Sequence, residues 1–339
     1  MGFLKYFLRR LVFLVILIIG VSLVVFIISH SVPSDPVLAN LSQRNIDNEE
    51  MVEAFRTKWG LDQPKHIQYF TYIGNLAKGD MGISILTQRP VLDDLKRFFP
   101  ATIELAFFAM LIAVFFGIIF GIISSLKRNS FIDQVLRFVS VIGVSVPSFW
   151  LALVFLLVFY VNLGIAPGPG RISPYFTAPP AVTNAFVLDA VIAGNWPLAL
   201  NALHHLMLPA LVLGMFSMGL ITRTTRSSLL EVLSTDFIRT ARAKGITEKL
   251  VVIRHALGNA LIPVVTVIGL AFGNLLGGMV LVETIFAWPG IGQYAFKAAS
   301  TLDFPAIIGV SILIAVNYLF INLLIDILYG VLDPRVRYK

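Results

Sequence analysis

Six apolar stretches long enough to cross a bilayer recur along the chain, at residues 11–29, 101–123, 139–161, 206–222, 261–282 and 306–329. Out of water, segments of this length satisfy their own backbone groups as α-helices, whereas barrel strands would be shorter and alternate in polarity. The pattern predicts an all-α integral membrane protein with six transmembrane helices. A polar island lies at 236–263. There Asp236 is placed as an N-cap, Phe237, Ile238 and Ala241 fall on one face at helical spacing, and Gly245 is placed to close the helix in a left-handed conformation. At 1.5 Å per residue this helix is roughly 12–15 Å long, too short to span a bilayer and long enough to lie across its surface. A second helical run opens near Thr247 and leads through Arg254 and His255 toward Pro263.

The segments between the spans carry patterns of their own. In 31–100, Val52, Phe55 and Trp59 share one face of a run ending at Gly60, and Ile67, Phe70, Ile73 and Leu76 share a face of a run opened by Pro64 and stopped near Gly79. Both predict amphipathic helices, lying at the membrane interface or on the bundle, with docking of an external partner as the alternative. The second span, beginning after Pro100, holds Gly117 and Gly121, and the fifth holds Gly269, Gly273 and Gly277. Such spacing lets helix backbones approach closely in lipid. The first pair is expected to pack within the chain, while the second set suits a neighbouring helix or a partner subunit equally. Pro147, near the middle of the third span, predicts a kink, as a static bend or as a hinge. The loop 162–205 is rich in Pro and Gly and contains an apolar stretch, 186–192, too short to span, which reads as a re-entrant or interfacial cap.

Composition agrees with a membrane location: 57% of residues are hydrophobic and 13% charged, against about 25% charged in soluble domains. There is no Cys, which excludes disulfides and thiolate metal sites. Lys5, Arg9 and Arg10 precede the first span, so a cleavable signal peptide is one reading of it, but its apolar core is too long for one and points to a retained helix. If both ends lie on one side, that side holds three basic residues before the first span, Lys127, Arg128 and Arg137 after the second, Arg223, Arg226, Arg239, Arg242, Lys244, Lys249 and Arg254 after the fourth, and Arg335, Arg337 and Lys339 at the end. Basic residues in short loops mark the cytoplasmic side, so both termini and the polar island are expected there. The net charge of +7 then reflects topology and implies no nucleic-acid partner. The division expected is 1–30 as N-terminus and first span, 31–100 as external segment, and 101–339 as the membrane core with a cytoplasmic loop at 223–260.

Candidate chemistry is sparse. No Gly is followed directly by Lys, so there is no phosphate-binding G-x-x-x-x-G-K-[ST] loop. Any ATP-driven work must be done by another polypeptide. The five histidines, His204 and His205 among them, form no metal-ligand motif. Glu104, Glu283 and Asp326 lie near span ends, where interface solvation or capping suits them, and a proton relay would want acids at mid-depth. That argues against a proton-coupled carrier.

The chain resembles the membrane subunits of binding-protein-dependent ABC importers, specifically the dipeptide/oligopeptide permease branch. The likeness rests on Leu61-Asp62-Gln63-Pro64, Gly79-Asp80-Met81-Gly82, Pro100-Ala101-Thr102-Ile103-Glu104-Leu105, Pro147-Ser148-Phe149-Trp150, the run 240–245, Glu283-Thr284-Ile285-Phe286-Ala287-Trp288-Pro289-Gly290 and the ending Asp333-Pro334-Arg335-Val336-Arg337. It implies a type I ABC importer permease fold in which Arg239, Thr240, Ala241, Arg242, Ala243, Lys244 and Gly245 form a cytoplasmic coupling helix seated in an ATPase groove. Binding of anionic lipid headgroups by Arg239, Arg242 and Lys244 is the alternative. Thr240 and Arg242 depart from the broader Glu-Ala-Ala pattern, so a contact carried by its glutamate does not transfer. The resemblance further implies a second homologous permease, two ATPase subunits that hold ATP and Mg, an external solute-binding protein and surrounding lipid, with no cofactor or metal on this chain. Substrates of the branch are di- and oligopeptides, with nickel chelates, opines, glutathione and oligosaccharides as alternatives. Asn274 and Gly278, small or polar positions at mid-span in the fifth helix, are expected to line the path. A stand-alone channel or carrier and a scaffold or receptor are the competing classes.

Overall fold

The computed structural model describes residues 3–31, 49–59 and 63–332. Helices run in the order α1 (Phe3–Ser31), α2 (Glu49–Trp59), α3 (Lys65–Ala77), α4 (Val91–Leu126), α5 (Phe131–Ser145), α6 (Ser148–Phe155), α7 (Phe186–Ile192), α8 (Trp196–Leu233), α9 (Asp236–Ala243), α10 (Leu257–Gly278), α11 (Val280–Ile285), α12 (Ile291–Ser300) and α13 (Phe304–Leu332). A bridge between Ile83 and Pro90 is the one extended pairing among the described residues. The motif residues Leu61, Asp62 and 333–337 lie outside the described residues, as do the surroundings of Phe55, Trp59 and Asp326.

Among the described residues, four helical segments are long and apolar enough to cross a membrane: Val91–Leu126, Trp196–Leu233, Glu248–Leu276 and Phe304–Ile325. α5 and the helix from Ser148 to Asn162 meet at 110°, which makes the pair a broken fifth span or a re-entrant loop, so the six spans expected are met by four or five. The expected first span falls within the 29-residue α1. Pro147 thus does more than kink the third span. It holds Val146 extended (φ −84°, ψ 129°) and, lacking an N–H, becomes the N-cap of α6. Pro100 behaves oppositely: α4 starts at Val91 and runs through it, so the helix that holds the second span begins earlier than expected, with the charged turns 91–97 ahead of the apolar run. Burial of Val91 and Leu95 against Ile291, Tyr294 and Val310 holds that extra length in helical form.

The chain divides into two compact units, one comprising Met1–Thr102 with Pro289–Leu319, the other Ile103–Trp288 with Phe320–Lys339. In the first, the loop before α4 is built on two buried carboxylates. Asp303 accepts from Ser84 Oγ at 2.6 Å and from the Leu86 N–H at 3.0 Å. Asp94 accepts from Thr87 and Tyr294 and pairs with Arg89 at 2.6 Å. In α3 the buried residues are Gln68 and Tyr72, and Tyr72 packs on Ile308 and Ile312 with Ile73 and Leu76 alongside. Phe70, expected on the inner face, is 70% exposed, because the i, i+4 pair Gln68 and Tyr72 sets which side turns inward.

In the second unit α8 is the most buried span. Its 38 residues are about 57 Å long, nearly twice the ~30 Å hydrocarbon core. Glycines bring its neighbours close: a Cβ on Gly117 would lie 2.7 Å from Ile221, and one on Gly121 2.4 Å from Thr225. This pair therefore packs within the chain, as expected, and Gly269 of α10 does likewise against Ile325. Gly121→Ala is expected to force α4 and α8 apart and to cost about 1–3 kcal/mol. Thermal unfolding in detergent checks this, and an unchanged midpoint would contradict the close packing.

At the end of α4, Ser130 accepts from the Asp133 N–H and starts α5. The fully buried Asp133 is held by Ser124, by the Asn129 N–H at 2.9 Å and by Arg226 at 2.8 Å and 2.9 Å. The turn between α4 and α5 is thereby fastened to α8.

Candidate functional site

The polar island folds as a short helix with one face anchored and the other free. Thr235, in extended conformation, is the N-cap of α9. Asp236 is instead the first helical residue, an equally favourable place for an acid at the positive helix end, and its carboxylate meets Arg239 at 3.2 Å. Ile238 and Ala241 are buried with Leu229, Val251, Ala256 and Ala260. Phe237, expected on that face, is 47% exposed.

The C-terminal end closes as a Schellman motif. Gly245 adopts φ +74°, its N–H bonds Arg242 O at 2.9 Å, the Ile246 N–H reaches Ala241 O at 3.4 Å, and Ile246 packs beside Ala241. Arg242 grips Glu248 in a fork, Nε to Oε2 at 3.0 Å and Nη2 to Oε1 at 2.6 Å. Hydrogen bonding to that carboxylate raises the arginine's pKa further. The pair is 41% and 55% exposed, so it adds at most about 1 kcal/mol, and its effect is to fix geometry. Of the expected coupling residues, then, Ala241 and Arg242 hold the helix in place, whereas Arg239, Thr240, Ala243 and Lys244 are presented outward.

From there the chain climbs through one helical turn, Glu248–Leu250, and a π-helical run, Val251–Ala256, into α10. Leu250 and Ile253 are exposed beside α9, at 50% and 56%. Together with Phe237 they give the polar island an apolar component that its charge pattern does not announce.

Asn274 lines a cavity of ≈ 380 Å³ at the break between α5 and α6, shared with residues 143–148, Phe216 and Ser217. The surroundings of Gly278 lie outside the described residues.

A second constellation lies on the loop before α8. Glu104, expected to be solvated at the interface or to cap a helix, is buried and does the second, at the first turn of α7. It accepts from Arg171 Nη2 at 2.6 Å and from the Val187 N–H at 2.7 Å. The guanidinium lies 3.7 Å from the Phe186 ring centroid and 5.3 Å from that of Trp288. Asp189 accepts from Thr183 and the Asn184 N–H, and His205 bonds Ser173 and Gly170 O, both at 3.1 Å. Glu283 is fully buried as well. Sequence flagged Glu104 but not its partner, which lies 67 residues away; the lone Arg in the Pro- and Gly-rich loop was the available signal.

A family model described as binding-protein-dependent transport system inner membrane component matches residues 92–338, and the N-terminal model of the same component matches 3–106. The chain is 46% identical, over 95% of its length and 94% of the relative's, to the probable D,D-dipeptide transport system permease protein DdpB of Escherichia coli (strain K12). It is 42% identical to the dipeptide transport system permease protein DppB of Alkalihalophilus pseudofirmus OF4, over 99% of this chain and 100% of that one. Identity is also 42% to the di/tripeptide transport system permease protein DppB of Pseudomonas aeruginosa UCBPP-PA14, over 99% of both chains.

Proposed function

This chain belongs to the family of binding-protein-dependent transport system inner membrane components, and we propose that residues 239–245 are its coupling helix, through which separate ATPase subunits drive it. It is a multi-pass permease subunit of an ABC importer. On our reading it pairs with a second, similar permease, two cytoplasmic ATPases that bind ATP and Mg, and an external solute-binding protein, with both termini cytoplasmic. The binding protein delivers substrate to the outer mouth, ATP-driven closure opens the bundle outward, and hydrolysis returns it inward. Small peptides are the substrate class, as the names of the relatives suggest.

The observation that carries the coupling role is the construction of α9. Its inner face is buried in the core of the second unit while its outer face offers Phe237, Arg239, Thr240 and Lys244. A helix so anchored moves as a rigid body with α8 and α10, so a displacement imposed on its outer face passes into the bundle. Deletion of 239–245 is expected to abolish co-purification of the ATPase while membrane insertion persists; retained co-purification would overturn the assignment. Substrate class is tested by binding of peptide and sugar panels to the cognate external protein.

A further inference from the structure

We propose that the cavity at the break between α5 and α6 is a substrate site that takes the charged ends of a small zwitterionic peptide; this rests on the peptide-importer reading above. The break brings opposite ends of two helices to one place. α5 ends at Ser145, its last bond being from the Val146 N–H to Ile142 O; Pro147 has no N–H to offer the Gly143 carbonyl, and the break turns the next donors away from those of Val144 and Ser145. α6 begins at Ser148 with no side-chain cap, and its first backbone donor to be satisfied is the Leu151 N–H, on Pro147 O at 3.1 Å. The N–H groups of Ser148, Phe149 and Trp150 have no acceptor within the helix. Carbonyls at a helix C-terminus favour an ammonium group, and N–H groups at an N-terminus favour a carboxylate.

Residues on both sides of this break line the cavity. The independent sign of a polar ligand is Ser217. It lines the same cavity from α8, is 1% exposed, and its Oγ has no hydrogen-bond partner. A hydroxyl buried without a partner costs free energy unless an occupant supplies one. Asn274 places an amide on the cavity wall from α10, and Phe216, Leu213 and Leu275 supply apolar wall for side chains. At ≈ 380 Å³ the space falls in the range of small-ligand sites, about 300–1,000 Å³. A dipole-paired break with one hydroxyl and one amide reads the ends and backbone of a peptide and leaves its side chains free, so the site would accept peptides of varied sequence.

The chain has no Cys, so Ser148→Cys gives it a single thiol at the mouth of α6, and Asn274→Cys gives a second, separate reporter. The assembled transporter, purified without its binding protein, is alkylated with a small neutral maleimide in the presence of dialanine or its C-terminal amide, and modification of this chain is read by mass. Dialanine at about 10 mM, enough to fill a weak millimolar site, is expected to slow alkylation at least threefold, and the amide much less. Ser217→Ala is expected to raise the protecting concentration about tenfold, the effect of losing a hydrogen bond to a charged or strongly polar group. Alkylation of both reporters indifferent to dialanine, in a complex that imports dialanine once the binding protein is added, overturns the site alone. Failure of the unsubstituted complex to import any small peptide overturns the peptide reading and the site with it.

Discussion

Replacing Arg171 with Ala is expected to destabilise the chain by about 3–5 kcal/mol, the usual cost of stranding one partner of a buried ion pair. The side chains of Arg171 and Glu104 are 6% and 3% exposed and meet at 2.6 Å. Arg171 also donates to Asn184 O at 3.1 Å and lies against Phe186, so the substitution frees the loop as well as the charge. The remaining donor to Glu104, the Val187 N–H, cannot replace a full positive charge. Scanning fluorimetry in detergent should show the loss as a lowered midpoint, and chymotrypsin should cut the loop 163–185 faster, at the exposed Tyr175. A double substitution, Glu104→Leu with Arg171→Met, is expected to recover most of the stability, since removing both charges removes the desolvation cost together with the attraction. A change below about 1 kcal/mol in the single variant would show that the pair is solvated.

Most of the spans were legible, because length and apolarity mark what can cross a bilayer, though six were expected and four or five are found among the described residues; the family motifs were legible as short strings. What those strings do was less so, because their partners are distant in sequence. In the Pro-Ala-Thr-Ile-Glu-Leu motif, Thr102 Oγ1 accepts from the Ile291 N–H at 2.8 Å and Glu104 pairs with Arg171. The motif therefore fastens two separate places at once. Pro147 announced a disturbance, but the 110° angle depends on the packing of α5 and α6 against α8, which no local rule supplies. In α9, residues 237 and 238 are 100° apart on a helix only eight residues long, so periodicity located the apolar side without deciding which of the two faces inward. Asp133 carried a readable cue, since Ser130 three residues earlier is an N-cap pattern, yet its pairing with Arg226 spans 93 residues.

That ambiguity between 237 and 238 yields the sharpest test of the coupling helix. Ile238 is fully buried and Phe237 is 47% exposed, so adjacent residues of one helix should fail in different ways. Ile238→Asp places a carboxylate among Leu229, Val251, Ala256 and Ala260 with no partner, at a cost of several kcal/mol that exceeds what a helix of this length contributes by itself. The helix is expected to leave its seat, with loss of ATPase co-purification and increased proteolysis at Arg239 and Arg242, while the spans remain inserted. Phe237→Ala removes an outward ring and should leave the proteolysis pattern unchanged. If the ring is part of the docking face, it weakens ATPase association by at least tenfold, the scale of a buried aromatic anchor in an interface. Should both substitutions leave association intact, α9 is not where the ATPase binds, and its basic side chains are left with the membrane surface as their partner. Loss with Ile238→Asp alone would place the contact on the polar rim formed by Arg239, Thr240 and Lys244. The two variants together thus separate an anchor from a contact, which the deletion of 239–245 cannot do.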